Sequence, residues 1–533
     1  MKRFLINTAF LILLAGEFSS CKKTIADDYL NPSTVTTADM SKLFSGMVLN
    51  PRIHPSYYDY ATFILPTTGA FSQLSTVAPS NQMYVPSINY NESRWDHFYD
   101  GSMPTDGSTP DYNYAGPGIM SSYREMQTTY AALSATEQAK QYVFLQCAKV
   151  ILYDQTAQMV DLWGDMPFSK ANSLNTSRSI GYAPFDNAAA IYDTLITGLN
   201  DLNTYFASTT LSPEIGSTLK AQDILMGGDL TWWQRYANSL RLRLLMRISY
   251  FDEATAKAAV TTMLSDPGTY PLVTDNVHNV LLNESPPTLR SDLHDALTTL
   301  NGNPYAPAYL LNTLMVANSD PRTTVFWDSV AGKAYTGFPY NGTISQYQQT
   351  GVNATYDSAT FIFNYNIPGV LFTAAEVSFL TAEANERWSA GSTPAATAYA
   401  NGINQSVAFY YGINQSRIAR TGYTAATLTP PSQSAIDAYV ANVAYTGTTA
   451  QKLSLIATQN WINFFILQSG QAWAELRRTK YPALQFATAN LAGATQPPSR
   501  LLYPASEKLY NPDNYAAVSG KDQSTTKIFW DVK

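Results

Sequence analysis

Charged side chains are scarce in this sequence. They make up 14% of its 533 residues, against about 25% in an average soluble protein. There is no basic stripe to follow a phosphate backbone, which excludes the usual nucleic-acid binders. Cysteine is scarcer still, with only Cys21 and Cys147. That excludes a disulfide framework, and Cys147, in an apolar helical stretch, reads as a buried thiol. Four scattered histidines add no cluster with metal-ligand spacing. No GxSxG, HExxH, GxGxxG, CxxC or phosphate-loop pattern occurs; Gly332-Lys333 runs into Ala334 without the upstream glycine such a loop needs. Several enzyme classes are thereby removed, and no cofactor or metal is expected.

Rings and neutral polar groups are abundant instead. The chain has 36 Tyr and 23 Phe, and Asn, Ser, Thr and Gln supply much of its polar surface. That balance suits neutral, hydrogen-bonding ligands. The formal charge of −7 favours solubility and says little about fold.

The first twenty residues read as an address. Lys2 and Arg3 form a positive start, and Phe4 to Ala15 is mostly apolar and of the length of a secretory core. A bilayer span needs about 20 apolar residues, and neither this segment nor any later one provides them. The segment ends in Phe18-Ser19-Ser20-Cys21, which resembles a bacterial lipobox, where the cysteine becomes the new N-terminus and receives acyl chains. The alternative is an ordinary signal peptide with Cys21 incidental. Residues 21–41 are polar and read as a lipid-anchored tether. Stable anchoring takes more than one acyl chain, each buried CH₂ adding about 0.8 kcal/mol.

At roughly 100–200 residues per domain, three domains are the naive expectation. The pattern points elsewhere. Residues 50–118 and 265–370 are rich in Pro, Gly and aromatics and read as long loops with short helices. Phe361-Ile362-Phe363-Asn364-Tyr365 is a candidate short strand. Between and after them, apolar residues recur at three- and four-residue steps. Phe144, Ala148, Ile151, Met159 and Leu162 form one such face; Trp233, Ala237, Leu240, Leu244 and Ile248 form another. Phe372, Ala375, Phe379 and Ala382 restart the pattern, and it continues through residue 467. We read residues 42–533 as one mainly α domain: a tetratricopeptide-like helical-repeat scaffold carrying two large loop-rich insertions.

Within the helical stretches, Asp161-Leu162-Trp163-Gly164-Asp165-Met166-Pro167-Phe168 reads as a helix end, with Gly164 in a left-handed position and Pro167 enforcing extension. The functional alternative is a catalytic pair of Asp161 and Asp165. Arg235, Arg241, Arg243 and Arg247 lie on one helix and read as partners for acids of neighbouring helices. Arg477 and Arg478, with Glu475, read the same way. Glu376, Glu383 and Glu386 are also at helical spacing. Two carboxylates about 5–10 Å apart would suit a glycoside hydrolase, but helix-face glutamates are commonplace.

Four stretches together resemble the SusD/RagB family of outer-membrane nutrient-binding lipoproteins. They are the Asp161–Phe168 stretch; Gly228-Asp229-Leu230 with Trp233 through Arg247; Thr381-Ala382-Glu383-Ala384 with Arg387-Trp388; and Gln459-Asn460-Trp461 with Gly470 to Glu475, Arg477-Arg478-Thr479 and Tyr481-Pro482. The resemblance implies a non-catalytic surface lipoprotein. Its role would be to bind oligomeric nutrient and deliver it to a SusC-like TonB-dependent transporter, its partner in the outer membrane. A glycan ligand leads, an oligopeptide is the alternative, and a secreted glycoside hydrolase is the reading from another class.

Loop aromatics are more informative about ligands than scaffold aromatics, which the core needs. The candidate ligand contacts are Phe71, Tyr84, Tyr90, Trp95 and Tyr99 from the first insertion, and Trp327, Tyr335 and Tyr340 from the second. Trp95 and Tyr99 equally suit a packed helix beginning near Asn91.

Lipidation at Cys21 is directly testable. Expressed in a diderm host, the chain should incorporate labelled palmitate, and Cys21→Ser should abolish the label and release the protein from membranes.

Overall fold

In the computed structural model, residues 39–80, 83–85, 88–101, 116–174, 182–283, 290–300, 305–423, 427–487, 494 and 496–533 are described. The signal segment, Cys21 and the expected tether as far as residue 38 lie outside them; the last tether residues, Asp39 to Ser41, instead cap and open the first helix. Helices dominate. In chain order the longer ones are α1 (Met40–Val48), α2 (Ile88–Tyr99), α3 (Ile119–Ala132), α4 (Ala135–Trp163), α5 (Ala188–Ser208), α6 (Pro213–Gln222), α7 (Leu230–Arg247), α8 (Glu253–Ser265), α9 (Ala374–Trp388), α10 (Ala395–Gln415), α11 (Gln433–Asn442), α12 (Thr449–Phe464) and α13 (Ser469–Thr479). A π-helical segment, Asp59–Gly69, precedes α2. Named strands among the described residues form three antiparallel two-stranded pairs. No helix among the described residues is long and apolar enough to cross a membrane.

The helices start where short polar side chains can accept their free N–H groups. Asn187 accepts from Ala189 and Ala190 at the head of α5, and Asp229 accepts from Thr231 and Trp232 at the head of α7. Thr448 and Gln451 form a reciprocal capping box on α12. α4 stops as its sequence demands. Its last residue is Trp163, Gly164 follows at φ 78°, and Met166–Pro167 then runs extended. Trp163 packs this exit, its indole donating to the Leu502 carbonyl.

Neighbouring helices run antiparallel. Tyr192 of α5 donates to Asp161 near the end of α4, and Tyr153 of α4 lies against Gly198 further along α5. Ser378 of α9 meets Gln405 of α10, while Asn385 reaches the turn between them at Thr393. The apolar residues expected on the α4 and α7 faces are all buried.

Arginines tie these pairs to one another. Arg243 of α7 is bidentate to Glu376 of α9 at 2.6 Å and also reaches Asp154 of α4 at 3.1 Å. Arg247 contacts Asp161 at 3.0 Å and Glu475 of α13 at 3.1 Å. Arg478 of α13 grips Glu383 of α9 at 2.5 Å and Glu475 at 2.6 Å. Arg387 adds a contact to Glu383 at 3.2 Å. Two further arginines of α7 do otherwise: Arg235 donates to the Leu272 carbonyl, and Arg241 lies over the Tyr270 ring. The expected structural role of Arg243, Arg247 and Arg478 is thus what the fold uses. Burial pushes the Glu383 carboxyl up, and Arg478 and Arg387 more than offset this, leaving it below its ordinary value.

The insertions are more ordered than a loop reading implies. The first contains the π-helical segment and α2. In the second, Val280–Leu282 pairs with Gly369–Phe372, and Trp327–Asp328 pairs with Thr355–Tyr356. Phe372 therefore ends a strand, and α9 starts two residues later. The strand expected at Phe361–Tyr365 does not form. Asp357 accepts from both the backbone and the hydroxyl of Thr360, which starts a helical turn over Ser358–Ile362; only Asn364 keeps an isolated bridge, to Ala419.

Arg478→Met should destabilise the fold by about 3–5 kcal/mol, because it strips buried carboxylates of their shortest partner. Arg235→Met, which loses one carbonyl contact, should cost about 1–2 kcal/mol; urea unfolding measures both. The Glu383 contribution should be complete above its ordinary value of 4.5 and lost as pH falls below it, since its folded-state value is the lower one.

Candidate ligand-binding cleft

The two insertions meet in a cleft with about 480 Å³ of free space, mouth included. Its first side is the chain from Ala70 to Val77 with Met83 and Tyr84; its second is Pro307 to Tyr309 with Phe338 to Tyr340. Thr76 donates across to the Tyr305 carbonyl at 2.8 Å and joins the sides.

The first side is strapped down by backbone acceptors. The Ser72 carbonyl accepts from Trp461 of α12, and that of Leu74 accepts from Tyr356. Gln73 between them is held at φ 53°, a conformation that costs a residue other than glycine about 1–3 kcal/mol. Its amide donates to the Gln485 carbonyl at 2.6 Å. Tyr84 is fixed at both ends: its hydroxyl accepts from the Ala487 N–H at 3.0 Å, and its ring meets Phe486 edge-on at 5.6 Å.

The second side is a small backbone ladder. Phe338 donates to the Ala306 carbonyl and accepts from Ala308. Gly337 makes this approach possible, since a Cβ there would lie 2.5 Å from the Ala308 Cα. Asn312 accepts from the Gly337 N–H and donates to the Tyr335 carbonyl. Behind the ladder, Tyr305, Phe338 and Tyr347 form a separate aromatic cluster. Tyr340 is left 38% exposed at the mouth. Burial, aided by Tyr340 and opposed by the hydrogen bond from the Ala487 N–H, holds the Tyr84 hydroxyl above its ordinary range. The Tyr84 phenol is therefore neutral near pH 7 and acts as a hydrogen-bonding ring rather than a charge.

The eight candidate aromatics separate by position. Tyr84 and Tyr340, one from each insertion, line this cleft. Tyr335 is half-buried just behind it and contributes its carbonyl to Asn312. Phe71 lies on the other side of the Tyr84–Phe486 contact, buried edge-on against Trp473 at 5.3 Å, at the floor of a different cleft. Trp95 and Tyr99 are on α2, the packed alternative. Trp95 lies between Tyr99 and Trp163, and Tyr99 donates to the Pro167 carbonyl. They floor a third groove whose exposed rings are Tyr182 and Tyr510. Beside them burial, then Glu92 and Asp100, push the Asp96 carboxyl up to about 7. Trp327 has no exposed surface; it is enclosed by Phe326, Tyr356 and Phe465 and belongs to the core rather than to a ligand surface. The Tyr90 side chain lies outside the described residues.

Tyr309 and Gln73 were missed by sequence reasoning. The signal for Tyr309 was present, since it follows Pro304, Pro307 and Tyr305 in a ring-rich loop. Nothing local marked Gln73.

The alternative catalytic carboxylates are committed elsewhere. Asp161 accepts from Tyr192, Trp530 and Arg247. Asp165 accepts from the Ala188 N–H and Lys521. Glu376 and Glu383 are held by the arginines described above, and Glu386 by Tyr445 and Lys452. No group of three or more His, Cys, Asp or Glu among the described residues is placed to hold a metal ion.

Comparisons with known proteins follow the fold. A solved chitin-binding protein is 21% identical, covering 92% of this chain and 100% of its own, with a TM-score of 0.70. A chitin-binding SusD homologue from Flavobacterium johnsoniae is 20% identical over 93% of this chain and 99% of its own, with a TM-score of 0.69. A SusD homologue from Bacteroides fragilis is 16% identical over 92% and 99%, with a TM-score of 0.68. At such identities the likeness is one of fold. No curated protein matches the chain in sequence. The SusD-like family described as "Starch-binding associating with outer membrane" matches residues 53–504. The chain therefore belongs to the SusD-like family, and its mainly α, tetratricopeptide-like scaffold is the fold of that family's solved members.

Proposed function

We propose that the protein is a cell-surface lipoprotein that captures an oligosaccharide in the Tyr84–Tyr340 cleft and passes it, unmodified, to a SusC-like TonB-dependent transporter. The observation that carries this is the cleft itself. Two insertions far apart in sequence are held together there by the Thr76–Tyr305 and Tyr356–Leu74 hydrogen bonds, and they present Tyr84, Tyr309, Phe338 and Tyr340 beside the Gln73 amide.

Sugar rings have apolar C–H faces that pack on aromatic rings, while their hydroxyls need neutral donors and acceptors. The lining supplies both and, among the described residues, carries no Asp or Glu. Glycosidic hydrolysis by two carboxylates therefore has no groups to use in this cleft. The glycan reading is also supported by the family's starch-binding description and by neighbours that bind chitin. Anchoring through Cys21 in the outer membrane and a surface-facing orientation complete the proposal. An oligopeptide would use the same rings with backbone hydrogen bonds, but no specific feature of the cleft favours it.

Calorimetric titration with chito- and malto-oligosaccharides should show saturable binding to one of them with no turnover. Tyr340→Ala should weaken that binding at least tenfold, which is about 1.4 kcal/mol, with the melting temperature unchanged. Trp327→Ala should instead destabilise the fold by about 3–5 kcal/mol through the cavity it leaves. Release of shortened products would overturn the reading, as would full affinity in Tyr340→Ala.

A further inference from the structure

Behind the π-helical segment lies a cavity with about 780 Å³ of free space, mouth included, distinct from the cleft above. Tyr60, Phe63, Ile64 and Thr68 of that segment form one wall. Arg52 and Arg94 enter it, together with the amides Gln158, Gln468 and Gln471. Both arginines are more than nine-tenths buried.

The charges around this cavity do not match one to one. Arg94 contacts Asp59 at 3.3 Å, and His97 shares the same carboxylate at 3.4 Å. Asp161, which also lines the cavity, is taken by Arg247. Asp154 is taken by Arg243. Arg52 is left with neutral partners: its Nε donates to Gln155 at 3.0 Å and its Nη1 to the Arg94 carbonyl at 2.7 Å. Its Nη2 and the Nε of Arg94 are buried with no hydrogen-bond partner among the described residues. Burial and then the charge of Arg94 hold the Arg52 guanidinium well below its ordinary range. Asp59 and Asp154 offset this only in part and neither bonds to Arg52 directly; burying a cation on neutral partners is costly, and buried polar atoms left unpaired are rare enough to need a cause.

We propose that this cavity is a small-anion site, in which a monovalent halide or a formate-sized carboxylate accepts from Arg52 Nη2 and Arg94 Nε. Two adjacent guanidinium donors suit a single small acceptor. The neutral amides around them add donors without adding negative charge. The apolar remainder of the wall (Ile53, Leu162, Val370, Leu371) keeps the interaction in a low dielectric, where it is strong. Such an ion would brace the segment that leads directly into Ala70 and the ligand cleft.

The test is thermal unfolding of the whole mature chain at constant ionic strength, with sodium gluconate replaced stepwise by sodium chloride, bromide or formate. The melting temperature should rise by several degrees and saturate, as expected for a ligand that binds only the folded state. A larger rise with formate than with chloride would assign a carboxylate, and the reverse a halide. Arg52→Met should lose the saturable rise, while Arg241→Met, on the far side of α7, should keep it. If Arg52→Met fails to fold, bromide soaked into crystals of the unaltered protein decides, with an anomalous peak expected beside Arg52 Nη2. Identical melting in all the salts, or crystals without that peak, would overturn the proposal.

Discussion

The structure depends on a buried chain of arginines and carboxylates. Glu475 bridges Arg247 and Arg478; Glu383 bridges Arg478 and Arg387; Arg243 closes on Glu376 and Asp154. These contacts link α4, α7, α9 and α13, which are far apart in sequence. Apolar packing alone would let such helices slide, because it lacks direction. Bidentate guanidinium–carboxylate geometry does not. The desolvation of so many charges is expensive, so the chain serves mainly to fix how the helix pairs sit on one another.

That fixed frame is what allows the insertions to do something else. Phe326 stacks on Phe465 at 4.1 Å, and Trp327 and Tyr356 fill the space around them, so the second insertion is rooted in the scaffold by its own aromatic core. Trp461 and Tyr356 hold the backbone of residues 72–74. Once both insertions are rooted, a few rings remain unspent by packing, and Tyr340 is the most accessible of those in the cleft.

The helices were legible because burial imposes a period on them. Phe144 to Leu162 and Trp233 to Ile248 could be placed on their faces from spacing alone, and Gly164 with Pro167 marked the end of α4. The role of Arg243, Arg247 and Arg478 was legible as a type, but, apart from the neighbouring Arg478–Glu475 pair, not their partners, which lie up to 228 residues away along the chain (Arg247 to Glu475) and obey no local rule. In the insertions there is no period to read. Trp327 and Tyr340 look alike in sequence, yet one is enclosed and the other faces solvent, because tertiary packing decides. The Phe361–Tyr365 strand failed for a local reason, the Asp357 cap, which competes with extension. Tyr84 and Tyr340 converge through the Thr76 and Tyr356 bridges between the insertions and the Phe338 ladder within the second, none of which spacing reveals.

The central claim is that an ion-locked helical frame presents a ring-lined cleft, formed between the two insertions, that holds a sugar chain. The most direct measurement is a crystal structure of the protein soaked with the oligosaccharide it binds most tightly. The account predicts a sugar ring packed against Tyr340 and Tyr84, with the frame unmoved. Sugar density in the groove of Tyr182 and Tyr510, and none between the insertions, would contradict it.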